Sequence, residues 1–135
     1  MVELVTDRTQ GHVDSLKKLR SIGWNNMTDN QKTEYLGYAT KGAYNYTDLN
    51  RVESAVAELA PELGLRLETK TDWGLWDLPT QSEMERYLSN IMAIRNACPT
   101  TTVFPPLPNS MNKLTYESAN NIERVLEIVY ESLNG

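Results

Sequence analysis

The segment TYESANNIERVLEIVYESLNG, residues 115–135, carries apolar side chains at a helical period. Five of its apolar positions are separated by three, four, three and four residues, namely Ala119, Ile122, Leu126, Val129 and Leu133. This spacing places all of them on one face of an α-helix, with the polar residues on the other faces. We predict a helix that begins near Thr115 or Tyr116 and ends at Asn134-Gly135.

The same spacing recurs in TDLNRVESAVAELAPELG, residues 47–64, at Leu49, Val52, Val56, Leu59 and Leu63. Thr47 or Asp48 is the expected N-cap, Pro61 should bend or restart the helix, and Gly64 should end it. Two helices with this shared period pack side by side at a shallow angle, as in helical bundles. Each covers only about two heptads, which is too short for an independent coiled coil.

Three further helices are indicated by start and stop signals. Thr28 and Thr80 are each followed three residues later by Gln or Glu, the capping box that satisfies free amides at a helix start. An earlier helix should start at Thr6 to Arg8 and stop at Gly23. We therefore predict a mainly α protein, a small helical bundle of about five helices.

Two segments between the predicted helices lack a helical period. Residues 65–71, LRLETKT, alternate apolar and polar side chains, which is typical either of one short strand or of an extended connector. Residues 98–112 contain four of the six prolines, so neither a helix nor a central strand can run through them. We expect a stiff, proline-rich connector on the surface.

Size and charge limit the classes of protein to consider. At 135 residues and 40% hydrophobic content, the chain can fill one core, so we predict a single helical domain over residues 1–135. A formal net charge of -5 disfavours nucleic acid, because binding phosphates requires clustered cations. The chain shows neither a secretion signal nor the roughly 20 apolar residues of a membrane span. We expect a soluble protein made in the cytoplasm, with no membrane partner.

Residue types that commonly take part in catalysis are few in this chain. His12 and Cys98 are the single histidine and cysteine, so no disulfide, zinc cluster or recognisable nucleophile arrangement is indicated. No phosphate-binding, dinucleotide-binding or calcium loop motif is present, and we predict no catalytic residue, cofactor or metal. Six acids could supply the paired carboxylates of a glycosidase, although most fall in helix first turns or on solvent faces. They are Glu53, Glu58, Asp72, Asp77, Glu83 and Glu85.

Aromatic residues concentrate in turns and at helix ends. The candidate contacts for a partner or ligand are Tyr44, Tyr46, Trp73 and Trp76, because Tyr and Trp rings suit both protein interfaces and stacking on sugars. Each tryptophan could instead be buried under a loop as a small satellite cluster. We expect the stretch from Trp73 to Trp76 to be the most exposed, since it lies in the least regular part of the chain.

Several blocks of the chain together resemble a module that recurs in phage proteins. They are WNNMT at 24–28, KGAYNYTDLNRVE at 41–53, KTDW at 70–73, PT at 79–80 and LTYESANNIE at 114–123. In this order they are similar to a module of tail-associated and baseplate-associated structural proteins of phages and prophages of Gram-positive bacteria. The resemblance implies a virion protein that acts in assembly or host attachment, either whole or as one module of a larger chain. It implies no catalytic residue.

Three functions are therefore in competition. The first is a non-catalytic structural module of a phage tail or baseplate, bound to other virion proteins and forming a homo-oligomer or larger assembly. The second is a carbohydrate-binding module in which loop aromatics stack on a glycan of the host cell surface. The third is a cell-wall hydrolase that uses acids between Asp72 and Glu85. A flat apolar patch would favour the first, coplanar exposed rings the second and two carboxylates across a cleft the third.

Overall fold

The structure, a computed structural model, describes residues 1–134, so the predicted terminator at Gly135 lies outside the described residues. Within this range the chain forms five α-helices, two short 3₁₀ helices and no strand. The α-helices are Gln10–Ile22 (α1), Asp29–Gly37 (α2), Tyr46–Glu62 (α3), Gln81–Ala97 (α4) and Tyr116–Asn134 (α5). The 3₁₀ helices are Trp24–Asn26 and Ala39–Gly42. The predicted mainly α fold with about five helices is confirmed.

Helices α3, α4 and α5 form a three-helix bundle around the main core. Both predicted seams face this core except at Ala119, which is buried outside it, and their last leucines, Leu63 and Leu133, are only partly buried. The residues just before the three helices, Asn45, Pro79 and Leu114, line one cavity. The three N-terminal ends therefore lie together and the helices run roughly parallel. Two long connections, residues 63–80 and 98–115, return the chain to this end.

Helices α1 and α2 form a second, smaller unit beside the bundle. Its core is Leu16, Leu19, Met27 and Ala39. The 3₁₀ helix Ala39–Gly42 packs closely on α1, since a Cβ added to Gly42 would lie 2.5 Å from the carbonyl oxygen of His12. This contact requires a residue without a side chain at position 42.

Both predicted capping boxes are confirmed, and two further boxes start α1 and α3. The predicted starts of these two helices are wrong. Helix α1 begins after Thr9, and α3 begins after Asn45 rather than after Thr47 or Asp48. Pro61 causes no restart, because it lies in the last turn of α3, where only one backbone hydrogen bond is lost.

Arg8 is excluded from α1 because it joins a buried ion cluster. Its Nη2 donates to Glu123 Oε2 at 2.6 Å and to Asp48 Oδ1 at 3.0 Å, and Arg51 Nε donates to Glu123 Oε1 at 2.6 Å. Two cations and two anions offset one another, which is the condition for burying charge. The cluster connects the N-terminal segment to α3 and α5.

Neither irregular segment forms a helix or a strand. Residues 65–71 are an extended connector and pair with no strand in the described part of the chain. Residues 98–112 form the predicted proline-rich connector, and Phe104, Leu107 and Met111 from it pack on the core.

Candidate interaction surface

Trp73 fixes the connection between α3 and α4 to the bundle. Its side chain is 4% exposed, and its indole Nε1 donates to Glu53 Oε2 at 2.6 Å. Its backbone amide donates to Asn50 Oδ1 at 2.7 Å, and its carbonyl oxygen accepts from Asn50 Nδ2 at 2.9 Å. Because Asn50 and Glu53 are three residues apart on α3, one helix face holds both the backbone and the side chain of Trp73.

Glu53 is the centre of this attachment and is 2% exposed. Its carboxylate also accepts from the Lys70 backbone amide at 2.9 Å and from both terminal nitrogens of Arg86, at 2.6 and 3.1 Å. A buried carboxylate is tolerated when a cation and further donors satisfy it. The hydrogen bonds that Arg86 donates to the Glu53 carboxylate raise the pKa of Arg86 above its ordinary value. Arg86 and Asn90 of α4 both donate to the Glu68 carbonyl oxygen at 2.7 Å.

The residues that follow Trp73 form a tight turn that displays three large apolar side chains. The Gly74 amide donates to Asp77 Oδ2 at 2.7 Å, and the Asp77 amide donates to the Gly74 carbonyl at 3.1 Å. Leu75 is 64% exposed, Trp76 88% and Leu78 89%. We call residues 74–78 the Trp76 turn. Its two internal hydrogen bonds and the attachment of Trp73 restrain the backbone from which these side chains face solvent.

A groove adjoins the Trp76 turn where the N-terminal ends of the three bundle helices meet. Two cavities of about 570 and 330 Å³ share Pro79, Met84, Met111 and Asn112 in their walls, so they lie side by side and are described together as one surface feature. We call it the Met84 groove. Leu75 lines it, which makes the turn and the groove one surface. Its other apolar walls come from Leu49, Met84, Leu88, Met92, Met111 and Leu114.

The four predicted aromatic contacts are divided between two roles. The expectation that Trp73 is exposed is wrong. Glu53, twenty residues earlier, accepts a hydrogen bond from its indole N–H inside the core. Trp76 is exposed as expected. Tyr44 and Tyr46 are half-buried and line the Met84 groove.

The Tyr44 hydroxyl is hydrogen-bonded to the hydroxyl of Tyr87, and burial raises the pKa of both groups above the ordinary value of 10.0. Among the four candidate rings, all of them in the described residues, Trp76 alone presents a fully open face. A sugar platform of two coplanar exposed rings is therefore not formed by this set.

The acids proposed for hydrolysis have local structural partners. Asp72 pairs with Lys70 at 3.0 Å, Asp77 closes the Trp76 turn and Glu83 completes the capping box of α4. The Lys70 ammonium lowers the pKa of Asp72, and the Thr80 backbone amide lowers the pKa of Glu83. A general acid needs a raised pKa, so neither carboxyl is suited to protonate a leaving group near neutral pH.

His12 and Cys98 also have structural positions. His12 Nδ1 accepts from the Thr9 amide at 2.9 Å as part of the capping box of α1, and its ring packs on Tyr38. Cys98 is the C-cap of α4 and packs against the main core. Residues 1–134 hold no cluster of three or more potential metal ligands. No helix within them is long and apolar enough to cross a membrane.

Sequence reasoning missed the residues that build this surface around Trp76. Leu75 and Leu78 flank Trp76 without a helical or strand period to single them out. Asn50 and Glu53 had a signal, since polar residues at this spacing border the apolar seam of α3. The partners of Glu53 come from two other segments, 17 and 33 residues away along the chain.

Comparison with protein-family models, with characterised proteins and with solved structures gives no match for this chain.

Proposed function

We propose that this chain is a non-catalytic structural module of a phage or prophage tail or baseplate that binds a neighbouring protein through the Trp76 turn. The observation that supports protein binding most strongly is the exposure of Leu75, Trp76 and Leu78 on one restrained turn. Removing a side chain of this size from water stabilises a complex by roughly 1.5–3 kcal/mol. Tryptophan is also among the residues most enriched at the energetic centres of protein interfaces.

The rigidity of the turn favours binding further. Ordering a flexible loop on association costs free energy, and a turn already held by Asp77 and Trp73 avoids most of this cost. Buried Glu53 and partly buried Arg86 hold a turn whose own apolar side chains remain outside the core. A purely structural connector would not need to place Trp76 in solvent.

The placement in a virion rests on the sequence resemblance. The blocks that carry it include Asn50, Glu53, Lys70, Trp73 and Pro79, which are the residues that attach and border the turn. The similarity to phage tail proteins therefore covers residues that hold and border the Trp76 turn, and it does not include residues 74–78 themselves. Assembly through repeated copies and neighbouring subunits is the usual way in which virion parts bury such surfaces.

The test measures incorporation of the chain into purified tail particles from the strain that encodes it. Particles are compared by quantitative mass spectrometry for the wild type, Trp76→Asp and Val103→Asp. Val103 is a matched control, since it is 87% exposed and lies in the connector. Loss of a central tryptophan contact of about 2 kcal/mol weakens binding about 30-fold.

We expect the wild type and Val103→Asp to be present at equal levels and Trp76→Asp to be depleted by roughly tenfold or more. Absence of the wild-type chain from particles would refute the virion assignment. Equal incorporation of all three chains would refute the role of the turn.

Light scattering of the free chain tests the homo-oligomer directly. A Trp76→Asp variant of lower mass than the wild type would place self-contact at the turn.

A further inference from the structure

The α4 wall of the Met84 groove carries three apolar side chains beside the polar Gln81, Glu85 and Ser89, and the middle one, Leu88, lies at the floor with 5% exposure. Met84, Leu88 and Met92 follow one another at four-residue intervals and all line the groove. On an α-helix this spacing places them on one face over about 12 Å. Residues 109–112 form the opposite wall. A trough of this form suits a second helix lying along it, with its own i, i+4 side chains inserted between the walls.

Three of the five methionines of the chain line this depression, namely Met84, Met92 and Met111. Met92 remains 39% exposed. Methionine is unbranched and polarisable, so a surface rich in it adapts its shape to an inserted apolar side chain. Helix-binding grooves use this property to accept amphipathic segments.

The charged groups of the groove have one sign. Asp77 and Glu85 line it, and the described residues of its lining include no lysine, arginine or histidine. Asp77 is engaged by the Gly74 amide, and Glu85 accepts from the Gln81 side chain at 3.1 Å. Neither carboxylate is paired with a cation, so both are available to a cation brought by a partner.

The positive ends of three helix dipoles also meet here, and they do not reverse this sign. Each N-terminus carries about half a positive charge. Helices α3, α4 and α5 each have a full negative charge in the first turn, at Asp48, Glu83 and Glu117 respectively. Asp48 is already paired with Arg8 and Arg51, which leaves Glu83 and Glu117 as the first-turn acids that oppose the dipoles. Asp77 and Glu85 make the lining of the groove itself negative.

We propose that the Met84 groove binds a basic amphipathic helix of a partner protein, with the apolar face of that helix on Met84, Leu88 and Met92 and a lysine or arginine beside Glu85. This inference rests on the proposed function of the surface as a protein-binding site and specifies the chemistry of the partner. A second copy of this chain that placed its own groove here would bring Asp77 and Glu85 of both chains together, which disfavours that copy as the occupant.

The test uses two designed helical peptides of about 14 residues, roughly four turns, that share a leucine face and carry either lysine or glutamate on the other positions. Binding to the full chain is followed by fluorescence anisotropy of the labelled peptides near 0.15 M salt, where exposed long-range charge effects are largely screened. We expect saturable binding of the Leu/Lys peptide that is about tenfold or more tighter than that of the Leu/Glu peptide.

Two variants locate the site. Glu85→Lys should weaken binding of the Leu/Lys peptide by about fivefold, because an attraction becomes a repulsion. Glu62→Lys is the matched control, since Glu62 is exposed at the opposite end of α3 and changes the net charge equally. Met92→Lys places a cation among the apolar side chains of the α4 wall and should weaken binding at least as much as Glu85→Lys does.

Three results would overturn the proposal: equal affinity for the two peptides, no saturable binding, or equal weakening by Glu85→Lys and Glu62→Lys. A stable dimer of the free chain that the Leu/Lys peptide does not dissociate would also overturn it and assign the groove to a second copy. All of these results concern the groove. Whether Trp76→Asp enters particles tests the turn, so the proposed function and this inference can fail independently.

Discussion

Replacing Glu53 with glutamine should release the connection that supports the Trp76 turn. The change keeps the size of the side chain and removes its charge. Arg86 then loses its anionic partner, and the amide group of the new side chain turns a donor toward the Lys70 amide or the Trp73 indole, both of which are donors themselves. The substitution therefore leaves polar groups unsatisfied rather than opening a cavity.

The expected loss of stability is about 3 kcal/mol. Removing one partner of a buried ion pair costs about 3–5 kcal/mol, and the lower value applies because the Arg86 side chain is 20% exposed and can recover some hydration. With an unfolding entropy of about 2 cal/mol/K per residue, this loss lowers the melting temperature of the chain by about 10 °C.

Two assays read this change. Urea denaturation of wild type and Glu53→Gln gives the free energy of unfolding, with Glu62→Gln on the same helix as an exposed control that should change it by under about 0.5 kcal/mol. Hydrogen exchange of the Lys70 amide and the Trp73 indole should lose protection in Glu53→Gln before the amides of α5 do. A stability loss below about 1 kcal/mol with both protons still protected would refute the role of Glu53.

Two further predictions concern close packing and buried hydroxyls. Gly42→Ala should destabilise the fold by about 2 kcal/mol, because its Cβ would lie 2.5 Å from the His12 carbonyl oxygen, whereas a Cβ at Gly37 meets no atom within 4 Å. Equal effects of Gly42→Ala and Gly37→Ala in urea denaturation would contradict this packing. The raised pKa values of Tyr44 and Tyr87 mean that the stability from their neutral hydroxyls is complete below pH 10.0 and is lost as the pH rises above it. In an absorbance titration, two of the seven tyrosines should ionise only with alkaline unfolding, and ionisation of all seven in the folded chain near pH 10.0 would contradict their burial.

The helices were predictable because their signals are local. The seams of α3 and α5 repeat over neighbouring turns, and the boxes at Thr28 and Thr80 lie within four consecutive residues. Burial of these positions follows from period alone, whatever the helices pack against. Helix starts were less predictable where a distant contact decides them, as at Arg8, whose partner Glu123 lies 115 residues away.

The interaction surface could be predicted only in part for the same reason. Trp73 and Trp76 occupy the same irregular stretch, and the residues beside them do not distinguish a buried ring from an exposed one. The two rings differ because the carboxylate of Glu53 on α3 accepts a hydrogen bond from the indole N–H of Trp73. The Met84 groove likewise depends on the meeting of three helix ends that are far apart in sequence.

The measurement that tests the central claim most directly is site-specific photo-cross-linking inside purified tail particles. A photoreactive phenylalanine analogue is introduced at position 76 or, as the control, at the equally exposed position 103. We predict that position 76 gives a defined adduct with one tail or baseplate protein and that position 103 does not. The same adducts from both positions, or particles that lack the chain, would contradict the account of the Trp76 turn as a virion binding surface.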